Sequence, residues 1–309
     1  MKNTTLAQLR HLIALSESGS FTLGAEQSNR SQAAFSRSIA VLEANLGVTL
    51  VDRSGHRNAL TPVGQTVLEH ARQVVADADE LHQFAQYHAG GDAVHVRIGL
   101  GPTPNALLMG PLLTYASRHP AGLRMELSRG PIPEQVQALR HRRLDALVVD
   151  PRSVPSNSAL HVELVAELAT GFLCRSGHPL ARRTAVDVRQ LVRYPIASTG
   201  MSEEMARLIV KAFGPTVHAS SLIALRSEDV PGLLECVRGS DALFMGVLAP
   251  AADWVARGEL VQLPFDTEGL ATKIAWVHRN GKALSPGLAG ARALVGEVLS
   301  GYANSAKAW

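Results

Sequence analysis

The stretch that decides the fold spans residues 19–64 and reads GSFTLGAEQSNRSQAAFSRSIAVLEANLGVTLVDRSGHRNALTPVG. The apolar spacing just before it predicts a first helix that ends at Gly19. Ser20 or Thr22 can cap a short second helix, and a tight connection at Asn29 leads to Ser31, a good N-cap for a third helix. Two short helices joined by a tight turn have the geometry of a motif that enters the DNA major groove.

The third helix of this stretch has one apolar face and one small polar face. Its apolar side chains recur at intervals of three, four and seven residues, which predicts that this face is buried. The residues that point away from the core are Ser31, Gln32, Ala33, Ser36 and Arg37. Gln pairs with adenine, Arg pairs with guanine, and a small Ala permits contact with a thymine methyl group. Spacing alone leaves two interpretations open, a DNA-reading helix and an amphipathic helix with a solvated face.

The residues that follow the third helix favour the DNA-reading interpretation. Residues 48–53 and 57–60 read as two strands around a turn that contains Gly55. Arg53, His56 and Arg57 cluster at the tip of this hairpin, where they suit phosphates or a minor groove. A helix-turn-helix followed by a basic hairpin predicts a winged helix. Bulk charge adds little, because the net charge of the chain is only +3.

The residues 19–64 resemble the N-terminal signature of the LysR-type transcriptional regulators. The segments that match include Gly19-Ser20-Phe21-Thr22, Ser31-Gln32, Leu46-Gly47-Val48 and Leu60-Thr61-Pro62 with Gly64. The chain departs from the usual family residue at several positions, among them Ile13, Gly24, Ser28, Ala33 and Val51. The resemblance implies major-groove contacts from Ser31, Gln32, Ser36 and Arg37, and wing contacts from Arg53 and Arg57. It also implies tetramers.

A long helix is predicted to begin at Thr61-Pro62, since Pro suits the first helical position, and to end before Gly90-Gly91. Large and small residues alternate along it at heptad spacing, which predicts a seam for a homodimer. The residues of this predicted seam are Val67, Ala71, Val74, Ala78, Leu81 and Ala85. A helix packed on its own domain is the alternative. A dimer would present two recognition helices to half-sites about 34 Å apart, or a multiple of that distance.

The remainder of the chain alternates strands with helices, which predicts α/β architecture with a parallel sheet and helices on both faces. It resembles the effector domain of the same family, two α/β lobes shaped like a periplasmic solute-binding protein. We therefore expect a DNA-binding domain at 1–61, a dimerisation helix at 62–89 and an effector domain at 92–309. Lobe I would comprise about 92–166 and 266–309, and lobe II about 167–265.

An effector site is predicted where the strands of both lobes end, because ligands of open α/β sheets bind beyond the carboxyl ends of strands. Free N–H groups and hydroxyls at helix N-termini favour an anion such as a carboxylate. Ordinary helix capping explains any one of these hydroxyls equally well. The residues predicted to line the site are Thr103, Pro104, Asn105, Ser128, Arg129, Gly130, Ser198, Thr199, Gly200, Met245 and Gly246.

Other functions find little support in the sequence. No nucleophile elbow, phosphate loop or dinucleotide fingerprint is present, and the histidines and two cysteines lack metal-ligand spacing, so we expect neither enzyme activity, metal nor cofactor. No secretory signal or membrane span is apparent, which predicts a cytoplasmic protein. A solute-binding module without DNA function is the alternative, but it leaves the first sixty residues unexplained. The expected partners are double-stranded promoter DNA, a small-molecule effector, further copies of the chain and RNA polymerase.

Overall fold

The computed structural model describes residues 3–52, 59–88, 94–119, 122–156, 159–200, 207, 210, 222–265, 271–281 and 284–305. The chain forms two compact units, residues 1–92 and residues 93–309. Within the described residues, no helix is long and apolar enough to cross a membrane.

The first unit is a winged helix extended by a long helix. Its elements are α1 (Leu6–Ser18), α2 (Phe21–Gln27), α3 (Gln32–Leu46), β1 (Val51–Asp52), β2 (Ala59–Leu60) and α4 (Pro62–His88). Thr5 and Gln8 form a capping box at the start of α1, and Gly19 ends that helix in the left-handed conformation that glycine favours. Gly47 ends α3 in the same way. These helix ends agree with the sequence-based prediction.

A single apolar core holds the first unit together, and α4 is part of it. Phe35, Ile39 and Leu42 of α3 are fully buried between α1, α2 and α4. Leu68, Ala71 and Val75 of α4 join the same cluster and are at most 8% exposed. The long helix is therefore anchored to the winged helix rather than forming a separate unit.

The absence of a side chain at Gly64 lets the first turn of α4 lie close to the backbone of Leu50. A Cβ atom at this position would lie 2.1 Å from the carbonyl oxygen of Leu50, which is backbone and cannot move aside. Thr61 donates its backbone N–H to the same Leu50 oxygen at 2.9 Å, and its hydroxyl donates to the carbonyl oxygen of Thr49 at 2.8 Å. The first turn of α4 is thereby held against the strand that leads into the wing.

Lobe I of the second unit is a five-stranded sheet with helices on both faces. Its elements are β3 (Val94–Leu100), α5 (Pro102–Ser117), β4 (Leu123–Arg129), α6 (Ile132–Arg140), β5 (Ala146–Val149), β6 (Leu160–Leu168), β12 (Thr272–Arg279) and α10 (Pro286–Ser305). The strand order is β4-β3-β5-β12-β6. Trp276 of β12 is fully buried at the centre of the core that faces α5 and α10.

Lobe II has a second five-stranded sheet, in the order β11-β7-β10-β8-β9. Its elements are β7 (Thr170–Arg175), α7 (Val188–Leu191), β8 (Ile196–Ser198), β9 (Ile223–Arg226), α8 (Val230–Arg238), β10 (Leu243–Val247), α9 (Ala252–Ala256) and β11 (Leu260–Gln262). The chain crosses into lobe II between Leu168 and Thr170. The hydroxyl oxygens of Thr170 and Thr272 lie 3.0 Å apart, which joins the two strands that pass between the lobes.

The α/β fold class is confirmed, but the prediction of a parallel sheet is wrong in part. In lobe I, β12 runs antiparallel to both β5 and β6. In lobe II, β7 runs antiparallel to both β10 and β11. β7 and β12 are the strands at which the chain enters lobe II and returns to lobe I. A strand that arrives from the other lobe need not run parallel to its neighbours in the sheet. Parallel pairing is retained between β3 and β4 and between β8 and β10.

We expect Gly24→Ala to destabilise the winged helix. A Cβ at this position would lie 2.8 Å from Cζ of Phe35, whose ring is fully buried. Overpacking of this kind costs about 1–3 kcal/mol, against a gain in helix propensity of about 1 kcal/mol. Native-state amide hydrogen exchange of α2 and α3 measures the difference. In a Phe35→Leu background the same change should cost less, and greater protection in Gly24→Ala alone would contradict the prediction.

Candidate DNA interface and effector cleft

The turn between α2 and α3 is built from one left-handed residue and one helix cap. Asn29 has a φ of 50°, a conformation that Asn tolerates better than most residues. Arg30 donates its backbone N–H to the carbonyl oxygen of Ala25 at 2.9 Å, which closes the turn. Ser31 then accepts a hydrogen bond from the backbone N–H of Ala34 at 3.3 Å, so α3 begins at the residue that the sequence predicts.

The outward face of α3 carries most of the predicted DNA-contacting side chains. Gln32, Ala33 and Arg37 are exposed, while Ser36 is half-buried. Ser31 is also exposed, and its hydroxyl hydrogen stays available to donate while its oxygen caps the helix. The sequence reasoning missed two neighbours on this surface, Ala34 and Arg30, which are both exposed. Ala34 was missed because an alanine beside the buried Phe35 gives no polar signal.

His11 of α1 packs against the inner side of α3, a contact that sequence reasoning missed. Its Nδ1 lies 2.7 Å from the hydroxyl oxygen of Ser38, and its ring centroid lies 5.0 Å from that of Phe35. Burial lowers the pKa of His11 below its usual value, and the positive charge of Arg30 lowers it further. A neutral imidazole therefore ties α1 to the helix that carries Arg37.

A carboxylate on α3 holds the segment at which the wing begins. Glu43 accepts hydrogen bonds from the backbone N–H groups of Leu50 at 2.8 Å and Val51 at 3.1 Å. Val51 pairs with Leu60 and Asp52 with Ala59, in an antiparallel hairpin. The predicted wing residues Arg53, His56 and Arg57 lie outside the described residues.

The predicted dimer seam on α4 is divided between two faces of the helix. Ala71 lies in the core of its own unit, so its assignment to an interface between chains is wrong. The reason is helical periodicity, since Ala71 shares its face with Leu68 and Val75, which pack on α1. Val74 and Leu81 are 48% and 67% exposed.

Val67 and Ala78 of the predicted seam are half-buried, and the side chain of Ala85 lies outside the described residues. Val63, which the sequence analysis did not include, is 49% exposed. It lies 18 residues before Leu81, which is five full helical turns, so the two share one face. The exposed apolar stripe of α4 is therefore formed by Val63, Val74 and Leu81.

In lobe I the structure brings two predicted effector segments side by side. Gly99 pairs with Ser128 and Leu100 with Arg129, so β3 and β4 end next to each other. The segment 101–105 opens α5, with Thr103 and Asn105 half-buried and Pro104 buried. Pro104 therefore presents little surface to a ligand, in contrast to the prediction, because its ring belongs to the buried face of α5.

Gln135 holds these two strand ends together, and the sequence reasoning missed it. Its Nε2 donates to the carbonyl oxygen of Gly130 at 2.7 Å and to that of Leu100 at 3.3 Å. The side chain is only 5% exposed. Gly99 makes room for it, because a Cβ there would lie 2.1 Å from Oε1 of Gln135. A glutamine on an amphipathic helix is predicted to be exposed, so sequence reasoning could not find this role.

In lobe II the other two predicted segments also meet. Leu243 pairs with Ile196 and Phe244 with Ala197, so Ser198 at the end of β8 lies beside the middle of β10. Ser198 is only 4% exposed, whereas Thr199, Gly200 and Gly246 are half-buried. Met245 is 5% exposed and packs in the lobe II core. Met245 therefore presents little surface to a ligand, in contrast to the prediction, because it lies in the middle of β10, where both faces of the strand are buried.

Charged side chains that the sequence reasoning missed surround these strand ends. Nη1 of Arg129 lies 3.9 Å from Oδ1 of Asp229, which links lobe I to lobe II. A Cβ at Gly200 would lie 2.6 Å from Nη2 of Arg226 and 3.0 Å from Oε1 of Glu228. Arg226 ends β9, and Glu228 and Asp229 follow it in a short loop. No recognisable motif marks this segment, so sequence reasoning had no basis for choosing it.

Metal and thiol chemistry find no support in the described part of the chain. It contains no group of three or more His, Cys, Asp or Glu side chains that could hold a metal ion. Cys174 is a buried free thiol, and burial raises its pKa to about 11, which disfavours the reactive thiolate. Cys236 is free and exposed on α8.

A winged helix-turn-helix joined to a two-lobed α/β domain defines a class of protein, the DNA-binding regulators with a sensor domain. Two family models match in the same order. The model of the bacterial regulatory helix-turn-helix protein, lysR family, matches residues 6–65, and that of the LysR substrate binding domain matches residues 89–300. The chain belongs to the LysR family of transcriptional regulators, which are DNA-binding proteins rather than enzymes.

Individual relatives agree with this assignment. The SDS degradation transcriptional activation protein of a Pseudomonas species is 33% identical over 295 residues, which cover 94% of this chain and 95% of that protein. A full-length OxyR variant from Pseudomonas aeruginosa has a TM-score of 0.67 at 20% identity, with 96% of this chain and 95% of that chain covered. CbnR in complex with its target DNA has a TM-score of 0.61 at 20% identity, with 97% and 100% covered. These two structures show the shared fold.

We expect Gln135→Leu to destabilise the second unit by about 1–3 kcal/mol, because it removes the donor that the Gly130 and Leu100 carbonyls share. All tryptophans of the chain lie in that unit, so urea unfolding followed by tryptophan fluorescence reports on it alone. Gln137→Leu is the matched control, since Gln137 is exposed on the same helix. Equal unfolding midpoints for Gln135→Leu and Gln137→Leu would contradict the assigned role.

Proposed function

We propose that this regulator reads promoter DNA through the outward face of α3 and responds to a small anionic effector bound in the second unit. The observation that supports it most is the contrast between the two faces of α3. Phe35, Ile39 and Leu42 are fully buried, while Gln32 and Arg37, one and six residues after the N-cap, are exposed. A helix anchored this firmly can present side chains to base edges without losing its position.

Each exposed group on α3 suits a particular DNA contact. Arg37 can donate two hydrogen bonds to a guanine, and Gln32 can pair with an adenine. Ser31 and Ser36 offer hydroxyls for a phosphate or a base, and Ala33 allows close approach of the helix. The proposal also keeps the wing contacts to phosphates or a minor groove. The family resemblance implies Arg53 and Arg57, and the sequence pattern of the hairpin adds His56.

We propose that two copies of the chain dimerise through the exposed apolar stripe of α4, with Val67 and Ala78 at its margin. An exposed Leu and two exposed Val on one face of a helix are costly in water and favour pairing with a second helix. A dimer would then place two α3 helices in half-sites separated by about 34 Å or a multiple of it. Tetramers and contact with RNA polymerase remain parts of the same proposal.

The proposed effector is a small anion, of which a carboxylate is one class. Its site comprises the strand ends of both lobes, with Thr103, Ser128, Thr199 and Gly200 at their margins. The N-terminus of α5 favours negative charge, and Arg129 adds a cation at the end of β4. A relative that is 33% identical is named for SDS degradation, and that compound carries an anionic sulfate group. The proposal assigns no catalysis to either lobe.

We expect Arg37→Ala to weaken binding to a specific promoter site by about 1–3 kcal/mol and to relax the preference for one base pair. Mobility shifts with the promoter next to the gene and with a set of single-base variants measure both effects. Arg118→Ala is a charge-matched control, because Arg118 is exposed in the second unit.

Two results would contradict this part of the proposal. Equal losses on specific and random DNA would make Arg37 a phosphate contact rather than a base contact. Absence of any sequence-preferred binding by the wild-type protein at moderate salt would refute DNA reading by this face.

We expect Ser128→Trp and Thr199→Trp to weaken effector binding at least about tenfold while leaving DNA binding intact, because an indole would fill the space at the strand ends. Native mass spectrometry with a metabolite library identifies the effector, and calorimetry then gives its dissociation constants. Thr114→Trp serves as the control, since Thr114 is exposed farther along α5. Unchanged dissociation constants in both variants would exclude these strand ends as the site.

A further inference from the structure

A polar depression lies in lobe I between the end of β4 and helix α6. Its volume is about 530 Å³, which is enough for a small organic ion. Ser128, Arg129 and Gly130 form one side, and Glu134, Gln135 and Arg143 contribute to the rest. All of its lining residues belong to lobe I. The depression therefore does not require lobe II for its shape, unlike the proposed effector site.

Positive charge accumulates around this depression. The segment 140–143 carries Arg140, Arg142 and Arg143, and Arg279 of β12 donates to the carbonyl oxygens of Leu139 and Leu144 at 3.0 and 2.9 Å. These contacts place Arg279 directly behind the segment. Arg129 adds a further cation from the end of β4.

Two carboxylates of the described residues lie near this positive charge. Asp145 already accepts hydrogen bonds from the Arg97 side chain at 3.0 and 3.2 Å and from its backbone N–H at 2.8 Å. Glu134 is the acidic residue that lines the depression itself. Arg143 is exposed and has no ion pair among the described residues.

Two of these guanidinium groups have lowered pKa values. Burial lowers the pKa of Arg142, and the positive charge of Arg279 lowers it further. Burial is also the main cause of the lowered pKa of Arg279, which Asp145 opposes and Arg97 reinforces. In the described part of the chain, the Nε–H groups of Arg140 and Arg279 are buried without an acceptor. A bound anion would offset part of the repulsion among these neighbouring cations.

We propose that this depression is an anion-binding site in lobe I, which takes a phosphate group or a small polycarboxylate between Arg129 and Arg143. The planar guanidinium fork of each arginine matches the oxygens of either group. The hydroxyl of Ser128 lies on the same wall and can donate to a further oxygen. This site shares Ser128 and Arg129 with the lobe I part of the proposed effector site, so it rests on the proposed function.

Occupation of this site would change the contact between the lobes. Arg129 and Asp229 are 3.9 Å apart, and their side chains are 68% and 54% exposed. An exposed pair at this distance contributes little to stability, so an anion in the depression can take Arg129 away from Asp229. Asp229 is the N-cap residue of α8, which packs on α5 of lobe I. Anion binding in lobe I is thereby linked to the position of lobe II.

The test uses the full-length protein with two probes, inorganic phosphate and citrate, against chloride at matched ionic strength. Isothermal titration calorimetry is expected to show saturable binding of at least one probe at millimolar concentrations. The probe with the higher affinity then distinguishes the phosphate class from the polycarboxylate class.

Three variants assign the binding to this depression. Arg143→Ala is expected to weaken it about tenfold or more, through loss of a charge-assisted hydrogen bond. Arg124→Ala is the matched control, because Arg124 lies on β4 itself, is exposed, and does not line the depression. Asp229→Asn is expected to tighten binding, because it removes the competitor for Arg129.

Three results would overturn the proposal. They are no saturable binding of either probe by the wild-type protein, equal weakening by Arg143→Ala and Arg124→Ala, and loss of DNA affinity in Arg143→Ala, which would assign the arginines to the DNA backbone. Mobility shifts with the wild-type protein are measured in parallel. Sequence-preferred DNA binding without anion binding would overturn this inference and leave the DNA-reading part of the proposed function standing.

Discussion

The burial of one face of α3 is the constraint on which the first unit depends. Phe35 occupies the space between α1 and α2 so fully that position 24 has room for no more than a hydrogen atom. Because successive helical residues turn by about 100°, fixing Phe35, Ile39 and Leu42 in the core also fixes the direction of every side chain between them. The outward position of Arg37 is thus a consequence of packing, and it needs no partner of its own.

The sequence predicted those features that depend on local pattern. The caps at Ser31 and Gly47 and the two faces of α3 follow from spacing and from residues with special backbone preferences, and the structure has them as expected. Family resemblance added the two-lobed architecture, which spacing alone could not give. Both kinds of inference concern single elements or their order along the chain.

The sequence-based predictions were wrong where the burial of a side chain depends on which distant residues pack against it. Ala71 fits a heptad seam as well as a core, and only the presence of α1 against α4 assigns it to the core. Met245 precedes a glycine that resembles a strand end, but it lies in the middle of β10 and packs in the core of lobe II. Gln135 looks like a surface residue until β3 and β4 bring two carbonyl oxygens within its reach. Each case depends on contacts between residues distant in sequence.

The same long-range contacts connect the ends of β3 and β4 to the rest of the second unit. Gln135 joins the strand ends to α6, and Arg129 extends from one of them toward Asp229 on α8. A rigid internal tie and a weak, exposed ion pair therefore begin at neighbouring residues. Since the tie is buried and the ion pair is not, a ligand at these strand ends would break the ion pair first. That difference in strength makes this edge of lobe I a suitable place to convert binding into movement between the lobes.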